Sequence, residues 1–247
     1  MAENKQLYNS VAPLRNVSAL VALIARVESR TIGLPGLATF YGPSGFGKTT
    51  AATYAANRFD AYHIEIRSAW TKKNFCEGLL KEMGIVPAKT IAYMVDQVSE
   101  ELALSGKILL IDEADYLIRR NMIELVRDIY ESSGSAVILI GEEGLPQKLQ
   151  KWERVHGRML DWVAALPACL DDIDHLTQLH CNDLTLEADF KSHLLKASKH
   201  SIRRVVVNLE RVREFASKKG METIDMAAWG KREFFACSAP AQRRELA

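Results

Sequence analysis

The chain has little of what ties a protein to a metal, a disulfide framework or a membrane. Its 247 residues include four cysteines, Cys76, Cys169, Cys181 and Cys237, with no C-x-x-C spacing among them. Zinc sites and disulfide scaffolds need closely spaced or patterned thiols, so reduced structural cysteines are expected instead. His175, His180 and Cys181 lie close in sequence, but no second ligand pair accompanies them and they read as ordinary polar residues. Long apolar runs are missing too. No stretch approaches the roughly 20 residues that span a bilayer, and residues 1–10, MAENKQLYNS, lack the apolar segment of a secretory signal. A cytoplasmic chain with no membrane partner is expected. Excess charge of one sign is absent as well: 32 basic residues face 31 acidic ones, for a net charge of +1. That balance argues against a basic nucleic-acid coat and leaves room for a local patch. Internal repeats and low-complexity tracts are not visible.

What is present suits a buried core, with 48% hydrophobic residues and a length that allows one large domain or a core domain with a small appendage. One stretch is dense in glycine. Residues 42–50, Gly42-Pro43-Ser44-Gly45-Phe46-Gly47-Lys48-Thr49-Thr50, follow an apolar run at 36–41 fit for a buried strand and precede a run of good helix formers at 49–58. Each glycine costs roughly 0.5–1 kcal/mol relative to alanine in regular structure, so three together need a reason. They fit G-x-x-x-x-G-K-[ST] in the strand-to-helix context that pattern requires. Glycines there let backbone N–H groups turn inward around phosphates at the positive end of a helix. Lys48 is expected to reach the β- and γ-phosphates of ATP, and the Thr49 hydroxyl to bind Mg²⁺.

A second feature is ILLIDEAD, residues 108–115. Aliphatic residues ending in acids place Asp112 and Glu113 at the carboxyl edge of a sheet, where ligands of open α/β folds collect. Asp112 is expected to hold Mg²⁺ through its water shell, and Glu113 to polarise the water that attacks the γ-phosphate. Around these motifs the pattern predicts helices over 18–30, 71–83, 90–104 and 121–132, and strands over 62–66, 107–111 and 136–140. Thr71 or Ser68 would cap the second helix, and Gly134 would end the fourth. Strands alternating with helices predict an α/β fold, a parallel sheet covered on both faces. Further on, helices are predicted over 186–199 and 202–218, with Gly220 stopping the latter and Thr223 or Asp225 capping a third.

Two cationic groups complete the reading. Lys148, Lys151, Arg154 and Arg158 are spaced by three, three and four, so a helix would set them on one side. A cationic stripe suits a neighbouring subunit's triphosphate, because a guanidinium stabilises charge developing on a transferred phosphoryl group. Arg67, Trp70, Lys72 and Lys73 join cations to an aromatic after the second strand, a set that could meet nucleic-acid phosphates without reading sequence.

On GPSGFGKT, ILLIDEAD and the order of elements between them, the chain resembles the AAA+ ATPases over about residues 30–215. More narrowly it resembles the transposition ATPases, typified by the phage Mu B protein and the IstB-like helpers, through EIRSAWTKKNFCEGLLKEMGI, DEADYLIRRNMIELVRDIYESSG and VILIGEEGLPQKLQKWERVHGRM. The resemblance implies a Mg²⁺-dependent ATPase that self-associates into a ring or helical filament, binds double-stranded DNA without sequence preference and delivers it to a transposase. Its setting would be a bacterial or phage-infected cell. It also implies an ATPase core over 1–170, a small helical lid over 171–230 and a flexible tail over 231–247. Arg158 would be the arginine finger, with Arg154 as second choice, and Arg203 or Arg204 the sensor arginine of the lid. Three positions before Arg203, where the family usually has glycine, stands His200. At the family's first sensor position stands Glu142, an acid that would repel phosphate unless paired. Unlike the phage Mu B protein, the chain has too few residues before the glycine-rich loop for a separate helix-turn-helix domain. Two other readings remain compatible: a helicase-loader, clamp-loader or secretion-type ATPase, and a nucleotide-gated module that binds ATP but barely hydrolyses it.

Overall fold

The computed structural model describes residues 12–236; the expected tail beyond 236, with Cys237, lies outside the described residues. The chain divides into two compact units, Arg15–Leu166 and, among the described residues, 12–14 with 167–236.

The first unit runs α1 (Arg15–Glu28), β1 (Leu37–Tyr41), α2 (Lys48–Phe59), β2 (Tyr62–Glu65), α3 (Lys72–Glu82), α4 (Ile91–Ser105) and β3 (Leu109–Asp112). It continues through α5 (Asp115–Arg119), α6 (Ile123–Ser133), β4 (Val137–Gly141), α7 (Leu145–Leu149), α8 (Glu153–His156) and β5 (Met159–Ala164). The five strands form one sheet in the order β2-β3-β4-β1-β5, parallel throughout. The three central strands read LATFY, LLID and VILIG and are buried almost end to end. Such unbroken apolar runs suit strands covered on both faces. The YHIE strand β2 is only partly buried, in keeping with its place at an edge.

Local chemistry sets the helix ends. Thr71 is the cap of α3, accepting from the Asn74 N–H at 3.3 Å while the Asn74 side chain returns to the Thr71 N–H. Gly106 and Gly134, at φ 66° and 67°, close α4 and α6 in the left-handed conformation that glycine adopts without a Cβ penalty. Phe75, Leu79 and Leu80 of α3 and Met94, Val98 and Leu102 of α4 pack with Leu109, Ile111, Val137 and Leu139 in one core.

The second unit contains α9 (Leu170–His180), β6 (Thr185–Leu186), α10 (Ala188–Ala197), α11 (Ile202–Lys219), β7 (Thr223–Ile224) and α12 (Met226–Trp229). Helix α11 packs on α9 and α10, and Asp225 rather than Thr223 caps α12, accepting from the Ala228 N–H at 2.6 Å. Thr223 instead joins a two-strand parallel ladder with Thr185. The fully buried Asn208 accepts from the Phe235 N–H at 2.7 Å and donates to the Phe235 carbonyl at 3.2 Å, holding that segment on α11. No described helix is long and apolar enough to cross a membrane.

One predicted element is corrected. The single helix expected to carry Lys148, Lys151, Arg154 and Arg158 is two short helices, α7 and α8, and Arg158 lies past the second, just before β5. The chain bends because Trp152 packs against the core between them. The cations therefore do not share one helical face.

Candidate functional site

Parallel strands bring their carboxyl ends to one edge, and there the glycine-rich loop connects β1 to α2. Gly45 and Gly47 take φ values of 84° and 81°, which side chains resist, and a Cβ on Gly42 would lie 2.9 Å from that of Ala165. Gly47 caps α2 and, having no side chain, makes no side-chain cap hydrogen bond. Lys48 curls back over the loop, donating to the Gly42 carbonyl at 2.8 Å and the Pro43 carbonyl at 3.0 Å. Burial pushes its ammonium below the ordinary value, opposed by the carboxylates of Asp112, Glu113, Asp115 and Glu142. Ser44, Thr49 and Thr50 are exposed on the loop and first turn, while Phe46 is half-buried.

Phe46 is held by a residue that sequence reasoning missed. Asn16, 4% exposed, donates to the Phe46 carbonyl at 2.8 Å and to the Leu166 carbonyl at 2.8 Å, and accepts from the Leu166 N–H at 2.7 Å. An amide on the apolar face of α1 was the available signal, since buried polar groups are nearly always partnered.

Strand β4 lies between β1 and β3, and both chemical segments bond to its end. Gly42 donates to the Gly141 carbonyl at 3.2 Å, and Ala114 donates to the Ile140 carbonyl at 2.9 Å. At the end of β3, Asp112 is 2% exposed; its Oδ1 accepts from the Glu113 N–H at 2.8 Å and its Oδ2 is buried with no hydrogen-bond partner. A buried carboxylate oxygen with an open coordination position, beside Lys48 and across from the glycine loop, fits a hard divalent cation and its water shell. Glu113 follows with a left-handed backbone at φ 55°. Burial raises its carboxyl above the ordinary value, Asp112 adds to the shift, and Lys48 opposes it.

Residues 32–149 match the family model of an AAA domain. The fold is that of an AAA+ P-loop NTPase. The Aeropyrum pernix ORC2 protein, solved as ADPNP-ADP complexes, superposes with a TM-score of 0.68 at 14% identity, covering 91% of this chain and 70% of that one. The Aeropyrum pernix ORC1 protein in complex with DNA gives 0.61 at 18%, covering 90% and 65%. The Thermotoga maritima RuvB Holliday junction branch migration motor gives 0.56 at 18%, covering 88% and 67%. No curated protein matches the chain in sequence.

Within the first unit a charged cluster surrounds the end of β4. Asp115, 2% exposed, accepts from the Glu142 N–H at 2.6 Å and from Lys148 Nζ at 2.5 Å. A Cβ at Gly141 would collide with the Asp115 carboxylate, which is why β4 ends in glycine. Glu142 is itself paired, with Arg119 at 3.2 Å and Lys148 at 3.3 Å. Glu142 is thus an acid with two cationic partners. Lys148 is spent here rather than in a stripe; burial lowers its ammonium, but the hydrogen bonds and charges of Asp115 and Glu142 together outweigh burial and leave it raised. Arg158 is exposed and ion-paired to Glu131 at 2.7 Å, and Lys151 and Arg154 are exposed.

Arg67, Lys72 and Lys73 are exposed on the stretch that runs from just past β2 into the first turn of α3, with Lys73 3.6 Å from Glu77. Trp70 joins them with one face, the Arg67 guanidinium lying 6.0 Å from its ring centroid. It is half-buried on the core, and a Cβ at Gly78 would meet its ring at 2.8 Å. Arg203 and Arg204 belong to the other unit, in the first turn of α11. His200 before them has a left-handed backbone at φ 56°, the conformation that a glycine adopts most readily.

Proposed function

We propose that the chain binds ATP with Mg²⁺, hydrolyses it, self-associates in its presence on double-stranded DNA of any sequence, and presents that DNA to a transposase. The observation that carries the reading is the convergence of Lys48, the unpartnered Asp112 Oδ2 and Glu113 on one strand edge beside a glycine loop. Lys48 binds the β- and γ-phosphates, the loop N–H groups hold them from below, and Glu113 orients the attacking water and takes its proton. Thr49 and Asp112 would hold Mg²⁺, which supplies charge neutralisation between the phosphate oxygens. Arg158 leaves Glu131 to reach the neighbouring subunit's nucleotide. Delivery to a transposase rests on the resemblance read in the segments 65–85, 112–134 and 137–159 alone, and DNA contact on the exposed Arg67, Lys72 and Lys73.

DNA titration tests the reading. Because the net charge is only +1, a single subunit should bind duplex weakly, whereas ATP-driven assembly repeats the same few cations along one duplex. Binding should need ATP, be cooperative, ignore base sequence and weaken steeply with salt. The Lys72→Ala, Lys73→Ala double variant should lower the salt slope by about 2, one per phosphate contact. Salt-insensitive binding to one sequence without ATP would overturn the proposal.

Sharing of the site between subunits is tested by mixing. Arg158→Ala and Glu113→Gln proteins, each impaired alone, should regain phosphate release when mixed, since some interfaces then pair an intact base with an intact finger. Absence of recovery in demonstrated mixed oligomers would place the finger elsewhere, with Arg154→Ala as the control.

A further inference from the structure

The short segment 114–120, which carries α5, is bounded by two non-glycine residues in left-handed conformation, Glu113 at φ 55° and Asn121 at φ 51°. Residues with side chains seldom adopt that conformation, and where they do the site is often one that reacts or moves. One of the two is the proposed base itself.

At the far end of the segment, two arginines reach to other strand ends. Arg119 pairs with Glu142, just past β4, at 3.2 Å. Arg120 donates through Nε at 3.1 Å and its terminal nitrogen at 2.7 Å to a single acceptor, the Ser68 carbonyl, 52 residues away in sequence. Ser68 stands next to Arg67 and just before Lys72 and Lys73, inside the segment that presents the three cations. That segment is fixed elsewhere by the Trp70 N–H donating to the Arg67 carbonyl at 3.0 Å and by the Trp70 ring on the core. Its other attachment to the β3 end is the Ile66 N–H, which donates to the Asp112 carbonyl at 3.0 Å. A closed circuit results: Asp112 to Ile66, through Ser68 to Arg120, and back through α5 to Glu113.

We infer that Arg120 is a positioning residue that couples the cationic segment 67–73 to the Glu113 carboxylate, so that a polyanion held at the first resets the hydrolytic geometry at the second. The guanidinium suits the task because its rigid fork fixes a direction as well as a distance. Glu113 suits the receiving end because its backbone is held in a sparsely populated conformation by its surroundings, and a small displacement of α5 changes what holds it. The inference rests on the ATPase and DNA-binding reading above, and it predicts which residue makes turnover respond to the polyanion.

The test uses the full chain with Arg120→Ala and Arg120→Lys. Phosphate release is measured with and without duplex DNA of arbitrary sequence, and DNA binding is measured across salt. Arg120→Ala should keep basal turnover, the KM for ATP and the salt slope, and should lose stimulation by DNA at least about fivefold, the scale of an ordinary coupling between sites. Arg120→Lys should restore part of it, since an ammonium can still reach the carbonyl. A second readout needs no DNA: the change in Trp70 emission on adding a non-hydrolysable ATP analogue, isolated as the difference from Trp70→Phe. It should be present in the wild type and absent in Arg120→Ala. Full stimulation in Arg120→Ala, or an equal fall of basal and stimulated rates with a lowered melting temperature, would overturn the inference. If DNA does not bind the wild type, the DNA-binding reading fails and the Trp70 signal alone then decides the coupling, an unchanged signal in Arg120→Ala rejecting it; DNA that binds the wild type without stimulating it overturns the inference.

Discussion

Glu113→Gln should leave ATP binding near the wild-type level and slow turnover by about 10²–10⁴-fold, the range by which a positioned general base accelerates a reaction. The amide keeps the size and shape of the carboxylate and removes only its ability to take a proton from water. Lys48→Ala should act one step earlier. It removes the ammonium that bonds to the loop carbonyls of Gly42 and Pro43, and nucleotide affinity should fall by roughly a hundredfold, about 3 kcal/mol. Titration with a fluorescent nucleotide separates the two variants, and phosphate release measures turnover. Equal loss of binding in both would contradict the division of roles. The acid limb of the rate should also be displaced. Burial and the neighbouring Asp112 raise the Glu113 carboxyl, so the active, ionised base is lost as pH falls through a value above the ordinary one. In Glu113→Gln that limb should disappear from whatever rate remains.

Lys148→Met should destabilise the protein by about 3 kcal/mol, the usual scale for removing one partner of a buried ion pair. Asp115 is 2% exposed and would keep only the Glu142 N–H. Lys148 is one-third exposed, so solvent screening and the relief of its own burial keep the loss at the lower end of that scale. Asp115→Asn on the same background should recover most of the stability, because the amide oxygen still accepts from Glu142 while no buried charge is left alone. Urea denaturation of the four proteins in the cycle measures the coupling. A single Lys148→Met variant as stable as the wild type would mean that the pair is ornamental.

The parts of the site that could be read in the sequence carry their signal locally. Three glycines before Lys48 sit between an apolar run and a helix-forming run, and Asp112 and Glu113 end an unbroken run of aliphatic residues; neither pattern needs a distant partner to be recognised. Thr71 and Ser68 were both legible as cap candidates for the same reason, and the reciprocal bonds with Asn74 give the place to Thr71. What was illegible depends on contacts between segments far apart. The cations from 148 to 158 repeat at helical spacing, but the anchoring of Trp152 in the core breaks the helix, and periodicity of charge cannot see a tertiary contact. Strand β5, MLDWVA, interrupts its apolar residues with Asp161, which a half-buried edge strand tolerates and a search for apolar runs passes over. The acid Asp115 was quoted as part of a motif, yet nothing near it in sequence says that it faces Gly141 and Lys148. Asn16 lies 30 residues from the Phe46 carbonyl that it holds.

Strand β4 contributes no side chain to the proposed phosphate chemistry, and its role there is metrical. Neighbouring strands are about 4.8 Å apart, so inserting one between β1 and β3 sets the glycine loop and the acid pair about 10 Å from each other. Both ends are pinned to consecutive carbonyls of that strand, Ile140 for one and Gly141 for the other. The gauge of the cleft is therefore fixed by backbone hydrogen bonds that no side-chain substitution directly removes. A slip of β4 by one residue would misplace the phosphate cradle and the acids in the same stroke.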